Sequence, residues 1–179
     1  MPITSATTND KGGPSGLTDE QWSEHAKLMG STPEAARSQY ESFLKEMEAH
    51  PELLKKIDLK EGQVTKTDAQ LGARPSLCLF NVICINFDAG FSGGSDWKAS
   101  LSVNVTVFGQ EVWRSEVIHL DPKNSFIHLQ PGGAVFKVDI EVGLRGADHC
   151  LYIKGSACYW AFISWRCSDT FDKDLVCFG

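Results

Sequence analysis

The stretch Trp97-Lys98-Ala99-Ser100-Leu101-Ser102-Val103-Asn104-Val105-Thr106-Val107-Phe108 decides the fold class. Ala99, Leu101, Val103, Val105 and Val107 alternate with Lys98, Ser100, Ser102, Asn104 and Thr106, and a period of two puts every apolar side chain on one face of a strand. The spacing therefore predicts a half-buried strand with one wet face. Ala134 to Leu144 repeats the pattern, with Ala134, Phe136, Val138, Ile140, Val142 and Leu144 in alternate positions. Leu77 to Phe87 and Ala157 to Trp165 are apolar on both faces and read as strands covered on both sides. Further strands are expected at Glu111 to Leu120, Ser125 to Gln130, Cys150 to Lys154 and Leu175 to Phe178. Gly93-Gly94, Asp121-Pro122, Pro131-Gly132-Gly133 and Gly146-Ala147-Asp148 punctuate them as turns. About seven or eight short strands without intervening helices predict a mainly β fold, an antiparallel β-sandwich or small β-barrel over residues 76–179.

Working back from this segment, the composition changes near Pro75. Residues 1–75 hold 21 charged side chains, one Trp, one Phe and no Cys, whereas residues 76–179 hold 19 charged side chains, four Trp, nine Phe and all six Cys. Residues 1–17 have almost nothing to bury and read as a disordered tail. Residues 18–59 read as a helical appendage. Thr18 and Gln21 are spaced as a capping box. Thr32-Pro33 is an N-cap followed by proline, and Ala36, Tyr40, Phe43, Leu44 and Met47 recur at helical spacing. Pro51 to Leu59 reads as a third short helix, and residues 60–75, polar with two Gly and a Pro, as a linker.

The chain carries a net charge of −6 and a pI near 5.3, which disfavours nucleic acid because phosphate binding needs a basic face. No apolar run approaches the ~18 residues of a membrane span, so no transmembrane segment is expected. The start MPITSATTNDKGGPSG shows neither a basic region nor an apolar run. The expected location is therefore cytoplasmic, or exported without a secretory signal peptide. Nothing in the sequence fixes an oligomeric state.

Cys78, Cys84, Cys150, Cys158, Cys167 and Cys177 form no C-x-x-C pair, so neither a metal site nor another cofactor is expected. If Leu77 to Phe87 is one strand, Cys78 and Cys84 lie ~20 Å apart, too far to bridge. Reduced core thiols are favoured over disulfides. Gly90-Phe91-Ser92-Gly93-Gly94 has the letters of a nucleophile elbow, but the turn leads into another strand, and a hairpin is expected. A hairpin at Asp121 to Asn124 would bring His119 and His128 to one face beside Asp121, the candidate acid/base group of an enzyme.

The aromatic residues carry the binding argument. In Ala157 to Trp165 the period of two places Cys158 and Trp160 on one face and Tyr159 and Trp165 on the other. Trp160 is expected in the core. Trp165, Tyr159, Trp97 and Trp113 are the candidate contacts of an aromatic platform, unless the stripe Tyr40, Phe43, Leu44 and Met47 covers that second face.

Phe43-Leu44-Lys45-Glu46-Met47-Glu48-Ala49-His50-Pro51-Glu52-Leu53-Leu54-Lys55-Lys56-Ile57 resembles the helical leader of ribosomally made bacterial peptide precursors, with His50 where that pattern has Asp. The likeness covers about 15 of the 179 residues, and it implies a helical segment removed during maturation. The reading that emerges is a non-catalytic binding module for a carbohydrate, lipid surface or protein partner. A small β-barrel enzyme of isomerase or cyclase type is the first alternative, and an exported toxin or modified precursor with a removable leader is the second.

Overall fold

The computed structural model describes residues 18–179 except Met29, Asp68, Ala69, Asn81, Ala134, Phe162 and Ile163. The expected tail, residues 1–17, lies outside the described residues. Two helices come first, α1 (Asp19–Leu28) and α2 (Pro33–Ala49). The capping box forms as spelled: the Gln21 amide donates to Thr18 Oγ1 at 3.2 Å, and Thr18 N–H donates to Gln21 Oε1 at 2.9 Å. Thr32 caps α2 through the Ala35 amide at 3.2 Å. A single turn of tighter helix, Pro51–Lys55, follows.

Among the described residues thirteen strands then make two antiparallel sheets. Sheet 1 contains β1 (Ile57–Lys60), β2 (Thr65–Thr67), β3 (Gln70–Ala73), β4 (Ser76–Leu79), β5 (Ile83–Ser92), β6 (Lys98–Val107), β7 (Gln110–Arg114) and β8 (Ile118–Leu120). Sheet 2 contains β9 (Phe126–Leu129), β10 (Phe136–Arg145), β11 (Cys150–Trp160), β12 (Trp165–Cys167) and β13 (Phe171–Cys177). Several of these are halves of one interrupted strand. β3 and β4 both pair with β5 in one continuous register, broken at Arg74-Pro75 because proline has no N–H to give the ladder. In the same way β12 and β13 both pair with β11. The inner faces of the two sheets share one hydrophobic core, as a sandwich requires.

Four expectations need correction. Residues 60–75 are not a linker: they form the end of β1, then β2 and β3. Their two-fold alternation is weak, and Gly62 marks the reason. A Cβ there would lie 2.6 Å from the Pro75 nitrogen, so the glycine-containing connection between the edge strands β1 and β2 passes close against the Arg74-Pro75 break of the neighbouring strand. Pro51 to Leu59 is helical only to Lys55, since Ile57 and Leu59 enter β1. Leu77 to Phe87 is two antiparallel strands, β4 ending at Leu79 and β5 starting at Ile83. Cys78 therefore stands directly opposite Cys84, and the two are bonded.

The cysteines are the fourth correction. Cys150–Cys177 and Cys158–Cys167 are also disulfides between register partners, so all six cysteines are paired. Distance along one strand excludes a bridge only while the strand stays unbroken.

The helices close one end of the sandwich. Tyr40, Phe43 and Met47 of α2 are buried, and the Tyr40 hydroxyl donates to the carbonyls of Val135, at 3.3 Å, and Trp160. Phe43 packs on Tyr159 and Phe108 with ring centroids 5.0 and 6.0 Å apart, and Phe80 packs on Tyr159 at 5.3 Å. Phe80 and Phe108 sit in the turns β4–β5 and β6–β7 with φ of +57° and +52°. Left-handed backbone costs ~1 kcal/mol or more in a side-chain-bearing residue, and here ring burial beneath α2 offsets it. At the other end Phe91 stacks on Phe178 at 5.0 Å beside Trp97 and His149.

Candidate functional site

Within β11 the period of two holds, but its two faces carry the opposite burial from that expected. Leu151, Ile153, Ala157 and Tyr159 face the core, with Tyr159 only 4% exposed. Cys158 and Trp160 therefore face outward. Trp165 lies on β12, which runs antiparallel to β11, and sits directly opposite Trp160. The two indoles pack edge to face at 5.3 Å on the outer face of sheet 2, and Trp165 is 36% exposed. Parity read through the turn puts Trp165 on the face of Tyr159, whereas the reversal puts it on the face of Trp160. Trp97 is buried at the far end, and Trp113 on β7 is half-buried against the core. Of the four candidate contacts, only Trp165 stands open on the surface.

The Trp160–Trp165 ledge is rigidly mounted. The Cys158–Cys167 disulfide ties β11 to β12 two residues along both strands. Lys137 Nζ lies 4.7 Å from the centre of the Trp165 ring, a cation–π contact. From the ledge a polar face runs along the sheet. Asp139 lies opposite Ser156, and Glu141 lies between His128 and Lys154. These residues, with Thr170 and Asp172, line an open cleft of about 550 Å³.

Its charges are tied to one another. His128 Nε2 is hydrogen-bonded to Asp139, which holds that carboxyl below the usual range, with Gln130 at 3.4 Å assisting. Arg145 meets Asp172 at 2.7 Å and Asp174 at 2.8 Å, and its hydrogen bond lowers the Asp172 carboxyl. The Tyr152 hydroxyl donates to Glu141 at 2.6 Å. Burial first, and then this bond, raises the Tyr152 phenol.

The acid/base constellation does not assemble. Asp121 and Asn124 form an isolated bridge, after which β8 joins β6 in sheet 1 and β9 joins β10 in sheet 2. His119 and His128 thus belong to different sheets. Asp121 accepts the amides of Asn124 and Lys123 at 2.9 and 2.8 Å, which lowers its carboxyl and shapes the turn. Asp139, which sequence reasoning missed, is the partner of His128. Its signal was present as a carboxylate on the wet face of β10, but the register of β9 was needed to find it. Ser92 ends β5 opposite Lys98 in a strand–turn–strand hairpin. Among the described residues no three His, Cys, Asp or Glu side chains converge to hold a metal, and no helix is long and apolar enough to cross a membrane.

A second cleft, about 650 Å³, lies on the outer face of sheet 1. Gln70, Arg74, Asp88, Ser100 and Ser102 line it, with Arg74 and Asp88 3.5 Å apart. It offers hydrogen-bonding groups but no aromatic side chain.

No protein-family model, curated protein or solved structure matches this chain.

Proposed function

We propose that the protein is a non-catalytic binding module of an oxidising compartment, and that the outer face of sheet 2 takes a carbohydrate. The observation that carries this reading is the Trp160–Trp165 ledge beside a face of fixed donors and acceptors. A sugar ring presents an apolar C–H face rimmed by hydroxyls that both donate and accept. An exposed indole stacks on the first, and Ser156, Asp139 and Lys154 suit the second. An anionic lipid surface fits less well, because Asp139, Glu141, Asp172 and Asp174 meet it with negative charge. Three disulfides support the compartment, since such bonds persist where thiols are not kept reduced. The docking of Tyr40, Phe43 and Met47 supports an integral helical segment over a removable leader.

Calorimetric titration with cello-, chito- and malto-hexaose tests the reading. Saturable binding to one of them is expected, and Trp165→Ala should weaken it ~10-fold or more while the fold persists. Binding that survives Trp165→Ala unchanged sinks the assignment. The acid/base alternative now rests on His128 and Asp139, and it requires turnover of a bound sugar that His128→Ala abolishes.

A further inference from the structure

We propose that a second site, the groove between α2 and the end of sheet 2, binds a single-chain amphiphilic carboxylate such as a fatty acid. The groove holds about 500 Å³, within the range of small-molecule sites. One wall is apolar: Leu44 and Met47 come from α2, Leu54 from the helical turn after it, and Ala161 from the end of β11. Leu44, Leu54 and Ala161 pack against the core yet remain only partly buried. That leaves apolar surface uncovered at the bottom of a concave site.

The opposite wall supplies a cation. Arg166 pairs in register with Tyr159, and Tyr159 faces the core. Arg166 therefore projects from the inner side of an edge strand towards α2, where it lines the groove. It remains exposed and makes no ion pair among the described residues. An inward charge on an edge strand blocks pairing with another sheet, but that role needs no apolar groove at its foot. Guanidinium is the side chain best shaped for a carboxylate, which it takes with two parallel hydrogen bonds. The Cys158–Cys167 disulfide next to Arg166 fixes the strand that carries it.

Tyr159 supplies a neighbouring donor. Burial raises its phenol and the Arg166 charge opposes that rise, so the hydroxyl keeps its proton near neutrality and can donate to an anion beside Arg166. Lys45 adds a second cation from α2. Two acids also line the groove. Glu41 is already engaged by Arg37 at 3.0 Å, whereas Glu48 carries a charge that repels a carboxylate. The head therefore belongs at Arg166 and the tail along Leu44, Met47 and Leu54. This site shares neither Trp160 nor Trp165 with the carbohydrate ledge, and it stands or falls independently.

Titration of the full chain with decanoate and with decan-1-ol, each below aggregation, tests the assignment, with the Met47 methyl resonance reporting occupancy. Decanoate should bind saturably and shift that resonance. Arg166→Gln, at an exposed position, should weaken decanoate about ten-fold, the usual scale for losing a charge-assisted contact. Decan-1-ol should bind the native protein no more tightly than decanoate binds Arg166→Gln. Glu48→Gln should strengthen decanoate, and Trp165→Ala should leave it unchanged. Equal affinity for acid and alcohol, indifference to Arg166→Gln, or no saturable decanoate binding overturns the proposal.

Discussion

The middle of the outer face of sheet 1 is built mostly from small uncharged side chains: Ser100, Ser102, Asn104 and Thr106 on β6 lie beside Cys84, Asn86 and Gly90 on β5, with Asp88 paired to Arg74 and Glu111 to Arg114. Asn86 donates to Asn104 at 2.9 Å, and one disulfide closes the β4–β5 hairpin. The outer face of sheet 2 is more densely charged, with His128–Asp139, Arg145 with Asp172 and Asp174, and Lys154–Glu141, and it adds two tryptophans and two disulfides. Both sheets bury alternate residues alike, so the core does not account for the difference. Sheet 2 ends in an interrupted strand, β12 and β13, whose pairing with β11 shifts at Leu151/Tyr152. The two bridges clamp that strand on either side of the interruption. Cys158–Cys167, beside Trp160 and Arg166, is the one that holds the ledge and Arg166 in place.

The largest test of the comparison is at Tyr159. It lies inside, beneath Phe43 and Phe80, and Tyr159→Ala should cost ~3–5 kcal/mol in chemical denaturation, as loss of a buried aromatic does. Trp165→Ala on the outer face should cost far less. Similar losses for both would mean that Trp165 is structural and that sheet 2 presents no ledge.

Next come the disulfides. The Cys150–Cys177 loop spans 27 residues and the Cys78–Cys84 loop spans 6. Chain-entropy arithmetic then gives ~3.5 kcal/mol for the first and ~2 kcal/mol for the second. Paired Cys→Ala variants should therefore destabilise in that order, with amide exchange rising first in β13 for the Cys150/Cys177 pair. The reverse order would show that sheet 1 depends more on its staple than sheet 2 does.

His25 separates the helical end from both sheets. It is 2% exposed between Trp22 and Tyr40, its Nε2 has no hydrogen-bond partner among the described residues, and burial lowers its pKa to about 4. Between pH 6.5 and 4 the unfolded chain binds a proton that the folded chain refuses, so stability falls as pH falls through this window. The loss reaches ~3 kcal/mol at most. The α1 amides should lose protection in acid before β5 and β6 do, and His25→Phe should remove the effect. Asp139 and Asp172 act lower on the scale: their depressed carboxyls add stability that is lost as pH falls through their folded-state values.

Much of this architecture was legible beforehand, and the failures have one physical origin. β6 and β10 were readable because each alternates over ten residues facing one core. Thr18-Gln21 and Thr32-Pro33 were readable because caps are local chemistry. Cys78–Cys84 and Trp160–Trp165 were misread because each pair spans a reversal between two apolar runs. Continuous hydrophobicity hides a tight turn, here made by Phe80 at positive φ rather than by glycine. His128–Asp139 and Tyr159–Arg166 depend on register between strands, which no single stretch contains.

The smallest expected effect isolates the ledge itself. Lys137 Nζ lies over the Trp165 ring at 4.7 Å, and such a contact at an exposed site contributes ~0.5 kcal/mol. Lys137→Met keeps an unbranched apolar stem on the strand and removes only the charge, so melting should shift little. If the lysine merely covers the indole, Lys137→Met should leave sugar affinity intact, and Trp165 fluorescence should become more accessible to iodide. If the ammonium also donates to the sugar, affinity should fall although Trp165 is no less open, and the cation belongs to the binding site. Neither change would occur on sheet 1, where Lys98→Met lies opposite Ser92 with no indole in register. A matched response at Lys98 and Lys137 would therefore remove the distinction between the two faces on which the ledge depends.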